Sequence, residues 1–304
     1  MRMRCVMPQA IIRSGRSQRS REEDQHMDAQ PSTPDLAAIK ERQQKAWSVG
    51  DYSKIGVIFV IVAEMLCESM DLRSGRRVLD VATGHGNAAL AAARRFCEVV
   101  GIDYVPDVLE VGRKRAAAEG LVIDFRVGDA EEIPFPDASF DYVLSTLGAM
   151  FAPDQEKAAS ELLRVCKPGG KIGMANFTPD GFAGELGKLA AKYQQPPPPP
   201  GLKPPSLWGT EGRLRELLGD EVSSLEIQRR AFFFRYPSPR FYVELSRVHV
   251  GFMREVLEGL DASKQEALLG EWEDLAHRFN RSGDETMVMP SDYLEVVATR
   301  RRVP

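Results

Sequence analysis

Residues 78–95, VLDVATGHGNAALAAARR, decide how the chain is read. A short apolar run carries Asp80 into a Gly84-His85-Gly86 turn, and an alanine-rich segment of helical length follows. Glycine tolerates positive φ and lets a ligand approach the backbone closely. Strand, glycine turn and helix in that order point to a nucleotide-like ligand over the turn. A dinucleotide site asks for Gly-x-Gly-x-x-Gly and an acid about twenty residues on. Here Ala89 stands at the third position and Asp103 follows at the end of the next apolar run. The turn alone therefore leaves a nicotinamide cofactor open.

Working outward, strands are expected at 76–82, 97–103, 122–129, 140–146 and 170–177. They alternate with helices at 87–96, 107–119 and 154–166. Strands alternating with helices imply a parallel sheet covered on both faces. Upstream, 35–49 and 55–70 have helical length. Downstream, 210–220, 239–258 and 262–279 are expected helices, and 222–236 and 291–301 are expected strands. Pro196–Pro200 suggest a stiff connector.

Three features narrow the ligand. Asp80 precedes the glycines, Asp129-Ala130 closes the third strand, and Lys167-Pro-Gly-Gly170 turns into the fifth. Together, over roughly residues 45–180, these resemble the class I S-adenosylmethionine-dependent methyltransferases, and most closely the small-molecule group that includes the ubiquinone and menaquinone biosynthesis enzymes. The resemblance implies a Rossmann-like α/β fold with a seven-stranded sheet, its last two strands an antiparallel edge pair, and helical lid additions. It implies a helical cap over 34–75, a cofactor-binding core over 76–180 and a C-terminal part over 181–304 with a lid at about 238–280. It also implies S-adenosylmethionine as cofactor. Asp80, Ala82, Thr83, Gly84 and Gly86 would pack on its methionine part, with Ala82 where the family usually has glycine. Asp103 would take the ribose hydroxyls, since a carboxylate accepts two donors at once. Tyr104 would lie along the adenine, Asp129 would accept from the adenine amino group, and the Ala130 amide would face a ring nitrogen. Thr146 would border the methyl. A nicotinamide-dependent oxidoreductase, or a non-catalytic cofactor-binding relative, are the alternatives.

Composition sets limits on partners. The formal charge is −4 over 304 residues, which speaks against a dedicated nucleic-acid binder. The longest apolar run, 55–66, is broken by Glu64 and too short to span a bilayer. Four scattered cysteines suit a reducing, cytoplasmic setting and no metal site. Residues 1–21 hold six arginines and no acid. They fit a transit peptide or an upstream extension with Met27 as the start, and disorder is expected through residue 33.

The fourth strand ends in STLGAMF (145–151) and not in the Asn/Asp-Pro-Pro-Tyr/Phe of enzymes that methylate exocyclic base amines or glutamine. A small-molecule acceptor is expected. Trp47, Phe151, Phe177, Phe182, Trp208, Tyr242 and Phe252 are candidates for an aromatic pocket. In-line methyl transfer needs alignment more than a base. Tyr52 and His249 are the candidates should a base be used, and His85 reads as a solvent-facing turn residue. Oligomeric state is left open.

Overall fold

The computed structural model describes residues 34–49 and 51–302; the basic segment 1–33, with Met27 and Cys5, lies outside them. Helix α1 (Leu36–Trp47) is capped by Asp35, whose side chain accepts from Ala38 N at 3.0 Å. The short α2 (Ser53–Gly56) and α3 (Val60–Ser69) complete the N-terminal part. Then come β1 (Arg77–Val81), α4 (Asn87–Arg94), β2 (Glu98–Asp103), α5 (Pro106–Ala118), β3 (Ile123–Val127), β4 (Phe140–Thr146), α6 (Gln155–Val165) and β5 (Cys166–Phe177). The remaining elements are α7 (Phe182–Tyr193), α8 (Glu211–Leu218), β6 (Val222–Tyr236), α9 (Pro239–His249), α10 (Gly251–Glu258), α11 (Ala262–Phe279) and β7 (Met287–Arg300). Pro196–Pro200 lie in the irregular connection between α7 and α8.

All seven strands share one sheet in the order β3-β2-β1-β4-β5-β7-β6. Strands β1 to β5 pair in parallel, and β7 runs antiparallel to both β5 and β6. This is the expected seven-stranded fold. The parallel part places the carboxyl ends of β1, β2, β3 and β4 along one rim, where open α/β sheets bind ligands.

The glycine turn is held by contacts that explain its residues. Gly84 and Gly86 both have positive φ, +52° and +79°. A Cβ on Gly86 would stand 2.8 Å from the Phe125 ring, one on Gly101 2.9 Å from it and one on Gly112 3.0 Å. Three glycines from the turn, β2 and α5 thus form a slot for the one buried side chain of edge strand β3. Any side chain there would overpack the slot, at a cost of about 1–3 kcal/mol. The alanines of α4 let that helix lie close on the sheet, and residues 88–93 are all buried.

Four expectations change. The helix expected over 55–70 is α3 preceded by α2 and a 3-10 turn at Val57–Phe59, and the expected turn at Lys167–Gly170 is part of β5, which starts at Cys166. The helix expected over 239–258 is two helices, broken at Val250, because Gly251 meets the α1 backbone: a Cβ there would fall 2.0 Å from Ala46 O. The third strand ends at Val127, and Asp129 sits in the loop beyond it. Helices α9, α10 and α11 lie between β6 and β7 in sequence, as expected, and pack with α7 on an aromatic core that includes Phe182, Phe234, Tyr242 and Trp272. Among the described residues no helix is long and apolar enough to cross a membrane. Cys67, Cys97 and Cys166 are free and buried.

Candidate functional site

A cleft of about 750 Å³, counting space open to solvent, lies over the carboxyl ends of β1, β2 and β4. Its floor includes Ala82, Gly84, Asp103 and Gly148, one side is Tyr104, Val105, Val108, Asp129 and Ala130, and the other is Tyr52, Leu147 and Phe151. Helix α1 covers it with Lys40, Gln43 and Trp47, residues spaced to share one helical face.

Asp103 ends β2 and is 8% exposed. Its Oδ2 accepts from Gly84 N at 2.9 Å and its Oδ1 from Val105 N at 3.0 Å. Burial raises its pKa, and these backbone hydrogen bonds oppose the rise. An ionised carboxylate has about four acceptor positions, so both oxygens can take a further donor from the cleft. Asp129 is already engaged. Its Oδ2 accepts from Lys40 Nζ at 2.7 Å and its Oδ1 from Glu131 N at 2.9 Å. Lys40 also pairs with Glu131. Burial opposes the Lys40 charge, yet hydrogen bonds to the two carboxylates outweigh it and hold the pKa above the ordinary lysine value. Gln44 Nε2 donates to Tyr104 O at 2.6 Å, pinning α1 to the loop after β2.

Other expected site residues lie beneath the cleft. Asp80 is 1% exposed; its Oδ2 accepts from Thr83 Oγ1 at 2.5 Å and from Ala89 N at 2.9 Å. It ties β1, the turn and α4 together, and burial pushes its pKa up to about 7. Thr83, Gly86 and Thr146 likewise do not line the cleft. Thr146 Oγ1 is buried without a partner. Ala82 takes the glycine-like conformation, φ +53°. A Cβ on Gly148 would meet Ala82 O at 2.6 Å and Ala82 Cβ at 2.8 Å. The absent side chain of Gly148 therefore accommodates the methyl of Ala82.

The two base candidates separate. Tyr52 lines the cleft, 5.4 Å from the Trp47 ring and 5.8 Å from that of His85, and burial raises its pKa well above the ordinary phenol value. His249 does not line the cleft; its Nδ1 accepts from Asp51 N at 3.4 Å. His85 is not solvent-facing. It is 8% exposed, because Tyr52 and α2 fold over the turn, and burial followed by the nearby Arg115 lowers its pKa to about 4.

Of the aromatic pocket candidates, Trp47 and Phe151 line the cleft with ring centroids 5.3 Å apart. Phe252 backs Trp47 at 6.5 Å. Phe182, Trp208 and Tyr242 are core residues, and Phe177 packs against the core. The expected lid at 238–280 contributes no residue to the cleft wall. Lys40, Gln43 and Gln44 were not foreseen from the sequence; the signal was the 40, 43, 44, 47 spacing of one helix face.

The donor and acceptor set fits an adenosyl ligand. A carboxylate with spare acceptor positions lies between a flat, partly apolar slot at Tyr104, Val105, Val108 and Ala130 and an aromatic corner at Trp47, Tyr52 and Phe151. The antiparallel β7 between β5 and β6 departs from the dinucleotide-binding order 3-2-1-4-5-6.

Residues 79–174 match a family model described as a methyltransferase domain. The chain is 39% identical over 184 residues to an uncharacterized protein of Mycobacterium tuberculosis, covering 60% of this chain and 67% of that one. It is 40% identical over 127 residues to the demethylmenaquinone methyltransferase of Deinococcus radiodurans, covering 40% of this chain and about half, 53%, of that enzyme. The crystal structure of the YcgJ protein from Bacillus subtilis superposes with a TM-score of 0.56 at 19% identity, covering 79% of this chain and 98% of that one. The chain belongs to the class I S-adenosylmethionine-dependent methyltransferases, and its cofactor is S-adenosylmethionine.

Proposed function

We propose that the enzyme methylates a small, aromatic or apolar molecule in a cytoplasmic setting. The observation that carries this reading is the corner of the cleft formed by Trp47, Tyr52, Leu147 and Phe151, whose rings meet edge to face at 5.4 Å and 5.3 Å. Edge-to-face aromatic groups favour a further ring by about 0.5–1.5 kcal/mol beyond burial.

In this reading Asp103 holds the cofactor's ribose, and the adenine lies between Tyr104 and the Asp129–Ala130 loop. Ala82 and Gly84 border its methionine part. The buried Asp80 and Thr83 set the shape of that turn from below. When bound, S-adenosylmethionine supplies a methyl already activated on a sulfonium. The chain's task is then alignment and exclusion of water, effects on the order of 7–11 kcal/mol in well-oriented models. Trp47 and Phe151 position the acceptor, and α1 shields it. Tyr52 is the titratable side chain at that corner of the cleft, and burial keeps it protonated. It orients an acceptor by donating a hydrogen bond and does not remove a proton. The acceptor therefore gives its proton to bulk solvent before it is enclosed and reacts as the ionised form, so the rate should follow the acceptor's ionisation.

The test is a panel of phenols, quinols, aliphatic amines, nucleic acid and protein, followed by release of S-adenosylhomocysteine. Turnover of ring compounds is expected, with Trp47→Ala raising KM about tenfold, the scale of one lost aromatic contact. Turnover confined to nucleic acid or protein, or a KM indifferent to Trp47→Ala, would refute the proposal.

A further inference from the structure

The acid expected to read the adenine amino group already has partners. Both oxygens of Asp129 already accept a hydrogen bond, and one of them carries the Lys40 ammonium. An ammonium has donors and no acceptor, so an amino group reaching Asp129 would have to share a carboxylate oxygen with that cation or take the remaining position on the other oxygen. Gln43, three residues after Lys40 on α1, also lines the cleft, and its Oε1 is buried without a partner.

Its position is fixed by its neighbours on α1. Lys40, one turn before it, reaches the loop after β3; Gln44, the next residue, reaches Tyr104 O in the loop after β2. Residues 40, 43 and 44 share a helix face, so Gln43 lies over the space between Asp129 and Tyr104. That space is the adenine slot of the proposed cofactor placement, on which this inference rests.

We infer that Gln43 reads the adenine edge in this chain, in place of Asp129. Its carboxamide has the right complement: Oε1 accepts from the 6-amino group while Nε2 donates to a neighbouring ring nitrogen, the bidentate pattern by which Gln recognises adenine elsewhere. Lys40 then serves a positioning role. By holding Asp129 and Glu131 together it seats α1, and with it Gln43, over the purine.

The experiment is a calorimetric titration of the full chain with S-adenosylhomocysteine and with its purine analogue lacking the 6-amino group. The wild type should bind the analogue about five- to tenfold more weakly, the scale of one hydrogen bond. Gln43→Leu should shrink that ratio to within about twofold of one. Gln43→Glu, which keeps an acceptor, should preserve it. Thermal melts of each variant report folding independently. A ratio that survives in Gln43→Leu would overturn the inference. A wild type that does not distinguish the two ligands would overturn it as well. Asp103→Ala separates the two levels of the argument. Equal weakening of both ligands upholds the cofactor placement, so a negative result at Gln43 then counts against Gln43 alone. Unchanged affinity in Asp103→Ala overturns the placement and the inference together.

Discussion

Asp80→Asn should make the protein more stable at neutral and alkaline pH, by an amount that grows with pH. The carboxyl is buried, and its pKa stands at about 7 against an ordinary 3.8. Below about pH 4 the folded and unfolded chains both hold its proton and the group is neutral in effect. Between 4 and 7 the unfolded chain has released the proton and the folded chain has not, so stability falls as pH rises. Above 7 the fall is complete. At about 1.36 kcal/mol per decade the full cost is about 4 kcal/mol. The asparagine amide stays neutral, and its oxygen can occupy the place of Oδ2, accepting from Thr83 Oγ1 and Ala89 N as the carboxylate does. The variant should match the wild type near pH 4 and exceed it by up to about 4 kcal/mol at pH 8. For a chain of this length, at about 2 °C per kcal/mol, that is a Tm gap near 8 °C. Asp103, also raised by burial, slopes in the same direction in both proteins; its charge contributes to the rise at Asp80, so the variant also relieves part of the rise at Asp103. Thermal melts across pH 4–8 provide the assay. A constant gap, or an asparagine variant that is less stable at pH 8, would refute the reasoning.

Asp103→Ala should weaken S-adenosylhomocysteine binding by roughly 1–3 kcal/mol, the scale of a lost charged hydrogen bond; it should also lower Tm, because Gly84 N and Val105 N lose their acceptor. Gly251→Ala drives a Cβ toward Ala46 O, so α1 must shift, and titration should show about tenfold weaker binding with every cleft side chain retained. Ala82→Gly releases a φ of +53°, worth about 1–2 kcal/mol, against about 0.4–1 kcal/mol of added unfolded-state entropy. A small net gain in the urea midpoint is expected, and a loss above 1 kcal/mol would contradict it.

The sheet was legible because its signals are local. Apolar runs ending in Asp80, Asp103 and Thr146, each followed by a turn, mark the rim without knowledge of distant residues. The antiparallel pair β6 and β7 followed from two long strand-like runs at the end of the chain. The cleft's cover was not legible. The inner face of α1 carries Lys40, Gln43 and Gln44 beside Trp47, and Lys40 and Gln44 bond to polar groups of the loops after β3 and β2, so hydrophobic periodicity gives no warning of its burial. His85 appeared exposed because a turn between glycines usually is; Tyr52 and α2, thirty residues upstream, cover it. The slot for Phe125 required three glycines from three elements to meet, and the break before Gly251 required α1 to lie against α10. Each of these depends on contacts between segments far apart in sequence.

The placement of the three tryptophans has a practical consequence. Trp208 and Trp272 are fully buried, at 0% exposure, while Trp47 stands in the cleft wall on α1. Collisional quenchers such as acrylamide should therefore reach Trp47 and spare the other two. Occupancy of the cleft, or release of α1 from it, should appear as a change in one quenchable emission component over a constant background. The protein thus carries its own optical reporter for titrations, with no label attached.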